Sequence, residues 1–321
     1  MSVLVTGGTG FVGLHVLRAL AARGERVVSV STRGALDASG RALLGDLAER
    51  VAFVKAEVTE LEALRDTLRD HRVDRIVHGA AITAIGDMER QAPYAAVRVN
   101  VGGTATVLEA ARLEGVRRVV YLSSATIYGG GDPARPIPED QPIRPLGIYP
   151  ITKQAAEALA LRYGALFDLD PVVLRISAPY GPLEHPTGGR TLMSTIYGWC
   201  RAALAGEPVR LPTDLERDFT YVADTAEAIV LAAHAARLPE RVYNVAFGRN
   251  VRFSEALETL RRLAPGFVVE RGNGATDAFF RDSLRGPLAI ERARRDLGWT
   301  PRTGLEEGLR AYLDWLRRYP V

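Results

Sequence analysis

The chain holds a single cysteine, Cys200, and only two lysines, Lys55 and Lys153, among 321 residues. One thiol can form no internal disulfide and no cysteine-rich metal site, which fits a reducing compartment; a cytoplasmic protein without a metal is expected. Cys200 itself reads as a buried filler. No apolar run approaches the roughly eighteen residues that a membrane span requires, so no membrane partner is expected. The start, Met1-Ser2-Val3-Leu4-Val5-Thr6-Gly7, has neither a basic n-region nor a cleavage site, and no secretory leader is expected. Net charge is only +3, and the arginines are scattered among acids instead of forming a run, so nucleic acid is not an expected partner either. The scarcity of lysine makes each one informative wherever it falls inside a chemical pattern.

What is present is an ordinary globular composition, 47% hydrophobic and 25% charged, on a chain long enough for one large domain and a smaller one. The first 180 residues alternate short β-branched runs with helical stretches, the pattern of a parallel sheet with crossover helices. Strands are predicted at 2–5, 26–30, 52–55, 75–78, 118–122 and 172–176. A periodic apolar helix over 11–22, closed by Gly24, joins the first two strands into a βαβ unit. Long helices over 93–113 and 149–167 follow the fourth and fifth strands. After Tyr180 the texture changes: Pro182, Pro186, Gly188 and Gly189 mark a departure from the sheet. A helix over 222–236 and a strand over 242–246 bring the chain back. The division expected is 1–180 with 222–250 as the dinucleotide-binding domain, and 181–221 with 251–321 as a smaller, discontinuous substrate domain.

Thr6-Gly7-Gly8-Thr9-Gly10-Phe11-Val12-Gly13 stands where the first strand gives way to the first helix. Gly7, Gly10 and Gly13 permit the tight turn, let the backbone approach a pyrophosphate, and let the helix, which Phe11 and Val12 open, pack against the strand. The helix N-terminus offers unpaired amides and its dipole to the anion. The fold class predicted is α/β, a Rossmann-type doubly wound parallel sheet that holds a nicotinamide dinucleotide. Cofactor choice is read at the end of the second strand, where NAD sites usually carry an acid. Here stand Ser31, Thr32 and Arg33. Two hydroxyls and a guanidinium suit a 2′-phosphate, which favours NADP over NAD. The alternative is that Arg33 is a solvated loop residue and the site takes either cofactor.

Tyr149 and Lys153 lie four residues apart at the start of a helix, on one face. A phenol is a poor base near neutrality, but a neighbouring ammonium favours the phenolate, so the pair can take a proton from a substrate hydroxyl. Ser124, at the end of the fifth strand, can donate to the same oxygen. These three are the candidate catalytic residues. The alternative, an interface tyrosine and a solvated helix lysine, gains little in so lysine-poor a chain.

Together these motifs resemble the extended short-chain dehydrogenase/reductase family, the NAD-dependent epimerase/dehydratase group of which UDP-galactose 4-epimerase is the familiar member. The resemblance runs through Asp74-Arg75-Ile76-Val77-His78-Gly79-Ala80-Ala81, Asn100-Val101-Gly102-Gly103-Thr104, and Tyr121-Leu122-Ser123-Ser124-Ala125-Thr126-Ile127-Tyr128-Gly129. It continues in Leu174-Arg175 to Tyr180-Gly181-Pro182 and Arg217-Asp218-Phe219-Thr220-Tyr221-Val222, and so covers nearly the whole chain. It implies hydride transfer at a carbinol carbon, with Tyr149 removing the hydroxyl proton and Lys153 also holding the nicotinamide ribose. Glu57, Val58, His78, Ala80, Ala81 and Asn100 join the glycine motif and Ser31 to Arg33 as cofactor-binding residues. His78 is counted as a near-cofactor residue, not as an acid or base. Thr126 can assist Ser124 or merely pack at the strand end. Arg217 resembles a diphosphate-binding arginine, or serves an ion pair joining the domains. Similar helices pair in the family as a dimeric four-helix bundle, so a homodimer is expected.

Departures from the family pattern keep the substrate open. An acidic pair that serves dehydration is replaced by Ala125 and Thr126. A substrate-binding asparagine is matched by Ala178, and a glycine- and aspartate-rich turn by Leu211-Pro212-Thr213-Asp214-Leu215-Glu216. The first counts against a dehydratase, the other two against a nucleotide sugar. The leading reading is a sugar-nucleotide epimerase-type enzyme. Its rivals are a net NADP-dependent dehydrogenase or reductase of a non-nucleotide substrate and a nucleotide sensor without catalysis, the last opposed by the intact Ser124, Tyr149 and Lys153.

Overall fold

The computed structural model describes residues 2–211, 213–272 and 284–320. Pro212, within the 211–216 departure, lies outside the described residues, as do 273–283 of the smaller domain. The chain builds a seven-stranded parallel sheet from β1 (Ser2–Thr6), β2 (Arg26–Ser31), β3 (Val51–Lys55), β4 (Arg75–His78), β5 (Arg118–Ser124), β6 (Asp170–Ile176) and β7 (Val242–Val245). Spatial order is β3-β2-β1-β4-β5-β6-β7. Helices cover both faces, which is why Val3, Leu4 and Val5 are all buried and why the strand reads as an unbroken apolar run. The order reverses between β1 and β4, whose register pairs Val5 with Val77 and Thr6 with His78. The crevice beyond these strand ends is where a doubly wound sheet binds its ligand.

Helix α1 (Phe11–Ala22) has the predicted bounds. Strand β5 runs two residues beyond the prediction, to Ser124. Its polar end is accommodated because the Ser123 hydroxyl donates to Glu157 at 2.8 Å, and the strand's start is pinned by Arg118 bonding Asp170 of β6. The predicted helix over 93–113 is interrupted: α5 (Pro93–Val97) passes through a π-turn, Arg98–Gly102, into α6 (Gly103–Leu113). The wider turn points Asn100 inward, and Gly103 closes on the loop after β3, where an added Cβ would stand 2.6 Å from Val58. Helix α7 (Ile148–Leu166) follows, and α9 (Val222–His234) packs against α1.

A second apolar cluster joins α8 (Thr195–Ala205), α10 (Phe253–Leu263) and the last helix, α12 (Leu305–Arg318), around Tyr180, Trp199, Phe219 and Phe253. Trp199 and Phe253 meet edge to face at 4.9 Å. Cys200 is fully buried here, and burial pushes its thiol pKa up, in keeping with a filler. Leu288, Ile290, Ala293, Leu297 and Trp299, from the stretch assigned to the smaller domain, pack instead beside the sheet, in the apolar cluster that holds Leu14, Leu17 and Val245. No helix among the described residues is long and apolar enough to cross a membrane.

Candidate active site

The glycine turn closes on itself through Gly10 N–H to the Gly7 carbonyl, 2.9 Å, and on the sheet through Gly7 N–H to the Val30 carbonyl, 2.8 Å. Gly7 has φ +69, and a Cβ there would stand 2.9 Å from the Ala80 backbone. At Gly13 a Cβ would come within 2.2 Å of the Gly7 carbonyl. Only glycine permits this approach of turn, helix and β4. Helix α1 starts without a side-chain cap, so its first-turn amides remain available for an anion. A cavity of about 880 Å³ opens over this turn. Its wall includes Gly7, Gly10, Phe11, Val12, Gly13, Ser31, Thr32, Arg33, Glu57, Val58, Ala80 and Ala81, a backbone cradle that fits a dinucleotide.

The same wall carries Ser124, Thr126, Tyr149, Lys153, Ala178 and Arg217. Ser124 caps a 3-10 turn, Ala125–Tyr128, and its hydroxyl lies 2.9 Å from that of Thr126. Tyr149 sits in the first turn of α7, whose N-terminus is held by the Glu89 carboxylate accepting the Ile148 N–H at 2.6 Å. Burial raises the Tyr149 phenol above its ordinary pKa; a hydrogen bond with Ser124, the charge of Arg190 and a hydrogen bond with Thr83 oppose that shift. Lys153, 3% exposed, stands over the Tyr121 ring at 4.4 Å. Burial brings its ammonium down to about 7, against the pull of the Glu157 charge. Glu157 is locked by Ser123 and by a buried ion pair with Arg175.

Two arginines also line the cavity, Arg285 buried and Arg217 half-buried. Burial brings Arg217 down to about 9 and Arg285 to about 10, and the charge of Arg285 adds to the shift at Arg217. Like charges held together out of water create a strong field for an anion. Arg285 carries no local motif, and nothing in the sequence marks it.

His78 and Asn100, expected in the cofactor-binding set, stand behind the cavity and do not line it. His78 bonds Thr6 at 2.7 Å and Thr104 at 2.9 Å, and burial together with the Lys153 charge brings its pKa to about 3. It is a neutral, satisfied residue behind the cavity. Asn100 spends its amide on the Ile82 N–H, 2.7 Å, the Ile82 carbonyl, 2.9 Å, and the Thr152 hydroxyl, 2.9 Å. Neither side chain reaches the cavity wall; both shape it from behind. Arg33 lies across the glycine turn, bonded to the Thr9 carbonyl and to Asp37 at 3.1 Å. Among the described residues no group of three or more His, Cys, Asp or Glu could hold a metal.

Residues 3–246 match the NAD dependent epimerase/dehydratase family, and the chain belongs to it. A UDP-glucose 4-epimerase of Mycolicibacterium smegmatis is 32% identical over 327 residues, covering 99% of both chains. A UDP-glucuronate 4-epimerase of Thermodesulfobacterium geofontis is 29% identical over 97% of this chain and 95% of its own. Among solved structures, MoeE5 in complex with UDP-glucuronic acid and NAD superposes with a TM-score of 0.83, at 33% identity over 99% of both chains. The protein is an NAD-dependent enzyme of the epimerase/oxidoreductase type in the extended short-chain dehydrogenase/reductase group.

Proposed function

We propose that this chain inverts a ring carbinol of a nucleotide-linked sugar, with Tyr149, Ser124 and Lys153 as its catalytic residues. The observation that carries the reading is the single cavity walled by the glycine cradle, by Ser124, Tyr149 and Lys153, and by the paired Arg217 and Arg285. The two guanidinia suit the diphosphate of a nucleotide sugar. They offset the loss of the family's asparagine at Ala178. The nicotinamide, when bound, supplies the hydride acceptor and donor. Tyr149 takes the carbinol proton while Ser124 and Thr83 hydrogen-bond its oxygen, and Lys153 holds the ribose and favours the phenolate. Tyr149 then returns the proton after the ketone has presented its other face. Loss of C4 inversion in Tyr149→Phe, with the nucleotide still bound, tests the assignment.

A second reading, a net reductase, is favoured by one feature. The end of β2 carries Ser31, Thr32 and Arg33 and no acid of its own, so two hydroxyls and a guanidinium stand where an NAD site usually places a carboxylate. MoeE5 and other solved relatives hold NAD. We infer that this chain accepts NADP as well, with Arg33 turning from its exposed Asp37 pair to the 2′-phosphate. The nucleotide that copurifies separates the readings: retained NAD favours the epimerase, exchangeable NADP the net oxidoreductase.

A homodimer through α5, α6 and α7 is part of this proposal. Tyr94 is 77% exposed, and Val97, Leu113, Ile151, Leu166 and Phe167 stand out of the same helices into solvent. Such a run of apolar side chains on neighbouring helices suits a second copy of the chain.

A further inference from the structure

We propose that Glu157 is a positioning residue for the catalytic pair: held one helical turn beyond Lys153, its buried carboxylate is the charge against which the lysine ammonium is set. The inference deepens the epimerase reading above and rests on its assignment of Tyr149 and Lys153.

Glu157 lies four residues after Lys153 on α7, so the two side chains share one face of the helix, and both are buried. That face packs on β5 and β6. Tyr121 of β5 donates its hydroxyl to the Lys153 carbonyl at 3.3 Å, and its ring centre stands 4.4 Å from the ammonium. Two residues on, along the same side of the strand, Ser123 donates to the Glu157 carboxylate at 2.8 Å. From β6, Arg175 closes on that carboxylate through Nη2 and, at 3.3 Å, through Nε. Arg175 is itself fixed: its Nη1 donates to the Tyr128 hydroxyl and to the Glu139 carbonyl, each at 2.7 Å, and the Tyr128 hydroxyl donates to Asn244 at 2.8 Å. A carboxylate gripped from two strands cannot swing away from its helix. Since Ser124 follows Ser123, the same bond ties the strand end that bears the catalytic hydroxyl to the helix that bears Tyr149 and Lys153.

Apolar residues of similar volume often fasten two elements as well as a buried ion pair does, so the pair points to a use for its charge. That use stands one turn away, because burial disfavours the Lys153 ammonium. The titratable groups around the lysine are Tyr149 and Glu157 on its own helix, Tyr121 on β5, and His78 on β4, whose ring lies 5.8 Å from that of Tyr121. Burial raises both phenols above their ordinary pKa, and burial together with the Lys153 charge brings His78 to about 3, so all three are neutral near pH 7. Glu157, balanced on its far oxygen by Arg175, is the anion of this set, and its charge opposes the burial that brings Lys153 to about 7. Without that charge the lysine would give up its proton at lower pH, and a neutral amine cannot favour the Tyr149 phenolate. Glutamine would keep the length of the side chain and an acceptor for Ser123, but not the charge.

The scarcity of lysine supplies the experiment. Lys55 and Lys153 are the only lysines, so lysine labelled with carbon-13 at Cε gives one signal from each, and the exposed Lys55 serves as the internal reference. The pH titration of the Lys153 signal is followed in the wild type, Glu157→Gln and Glu157→Asp, beside the pH profile of C4 inversion of UDP-glucuronate and UDP-glucose. Glu157→Gln should lower the Lys153 midpoint by about one to two pH units, leave Lys55 unmoved, and carry the alkaline limb of the profile down with it. Glu157→Asp, which keeps the charge on a shorter arm, should restore most of the midpoint. A merely structural role reverses that order, since glutamine keeps the length and aspartate does not; the reversed order, or a Lys153 midpoint unmoved in Glu157→Gln, overturns the inference. Should the single change leave Arg175 too poorly paired for folding, Glu157→Gln with Arg175→Met removes both charges: a lowered midpoint again supports the inference, and an unmoved one overturns it. The lysine titration needs no substrate, so it decides the inference even where neither sugar is inverted, an outcome that counts against the epimerase reading alone.

Discussion

The Asn100 amide and the Thr152 hydroxyl meet at 2.9 Å, joining the π-turn between α5 and α6 to the stretch of α7 between Tyr149 and Lys153. The same amide grips Ile82 at both its N–H and its carbonyl, so one buried residue sets the loop after β4 against the catalytic helix. Asn100→Ala should lower unfolding stability by about 2 to 4 kcal/mol, because it leaves buried groups unpaired. It should also weaken dinucleotide binding. Denaturant unfolding and a nucleotide titration check this; unchanged values in both would remove Asn100 from the account.

Tyr149→Phe should lower kcat by roughly 10²- to 10⁴-fold with nucleotide affinity nearly unchanged, since only proton transfer is lost. Steady-state kinetics beside a binding titration make the comparison. Turnover near the wild-type rate would contradict the role.

Acid stability depends on the neutral, buried His78. Its folded pKa is depressed to about 3 from an ordinary 6.5, so below 6.5 the unfolded chain takes up a proton that the folded chain refuses. Stability from this group is therefore present above pH 6.5 and is lost as pH falls toward 3. Asp218, pushed up to about 7 by burial, works in the opposite direction. Comparison with His78→Gln cancels that effect, since glutamine can bond the two threonines without titrating. The loss of stability between pH 8 and pH 5 should be smaller in the variant by about 2 kcal/mol. Equal losses would mean that His78 titrates normally.

Arg33→Ala should weaken NADP by roughly one to two decades, about 1.5 to 3 kcal/mol, and NAD much less. Equal binding of both dinucleotides, unaltered by the change, would leave Arg33 as a loop residue bonded to Asp37.

Tyr94→Glu combined with Leu166→Glu should convert a dimer to a monomer in light scattering at micromolar concentration, because each places a charge in the proposed apolar contact. A wild type that is already monomeric would contradict the dimer.

The sheet was legible because its strands are buried on both faces and therefore read as apolar runs between glycine turns. The glycine cradle was legible because backbone approach restricts it to glycine, and Lys153 because lysine is so scarce. The π-turn was not, since the periodicity over 93–113 hides one inserted residue. Asn100 and His78 were assigned to the cofactor by their place in a motif, but their partners, Ile82, Thr152, Thr6 and Thr104, are set by tertiary packing that no local pattern encodes. Glu157, Arg190, Arg285 and Glu89 went unnoticed for the same reason. In so arginine-rich a chain, one more arginine carries no signal until the fold brings it to the cavity wall.

Proton NMR of the purified protein with UDP-glucuronate and UDP-glucose, with absorbance at 340 nm followed in parallel, separates inversion from net redox change. Interconversion of the C4 epimers by catalytic amounts of protein is expected, with no lasting reduced nucleotide. Accumulation of a keto sugar with stoichiometric reduced dinucleotide, and no C4 epimer, would contradict it.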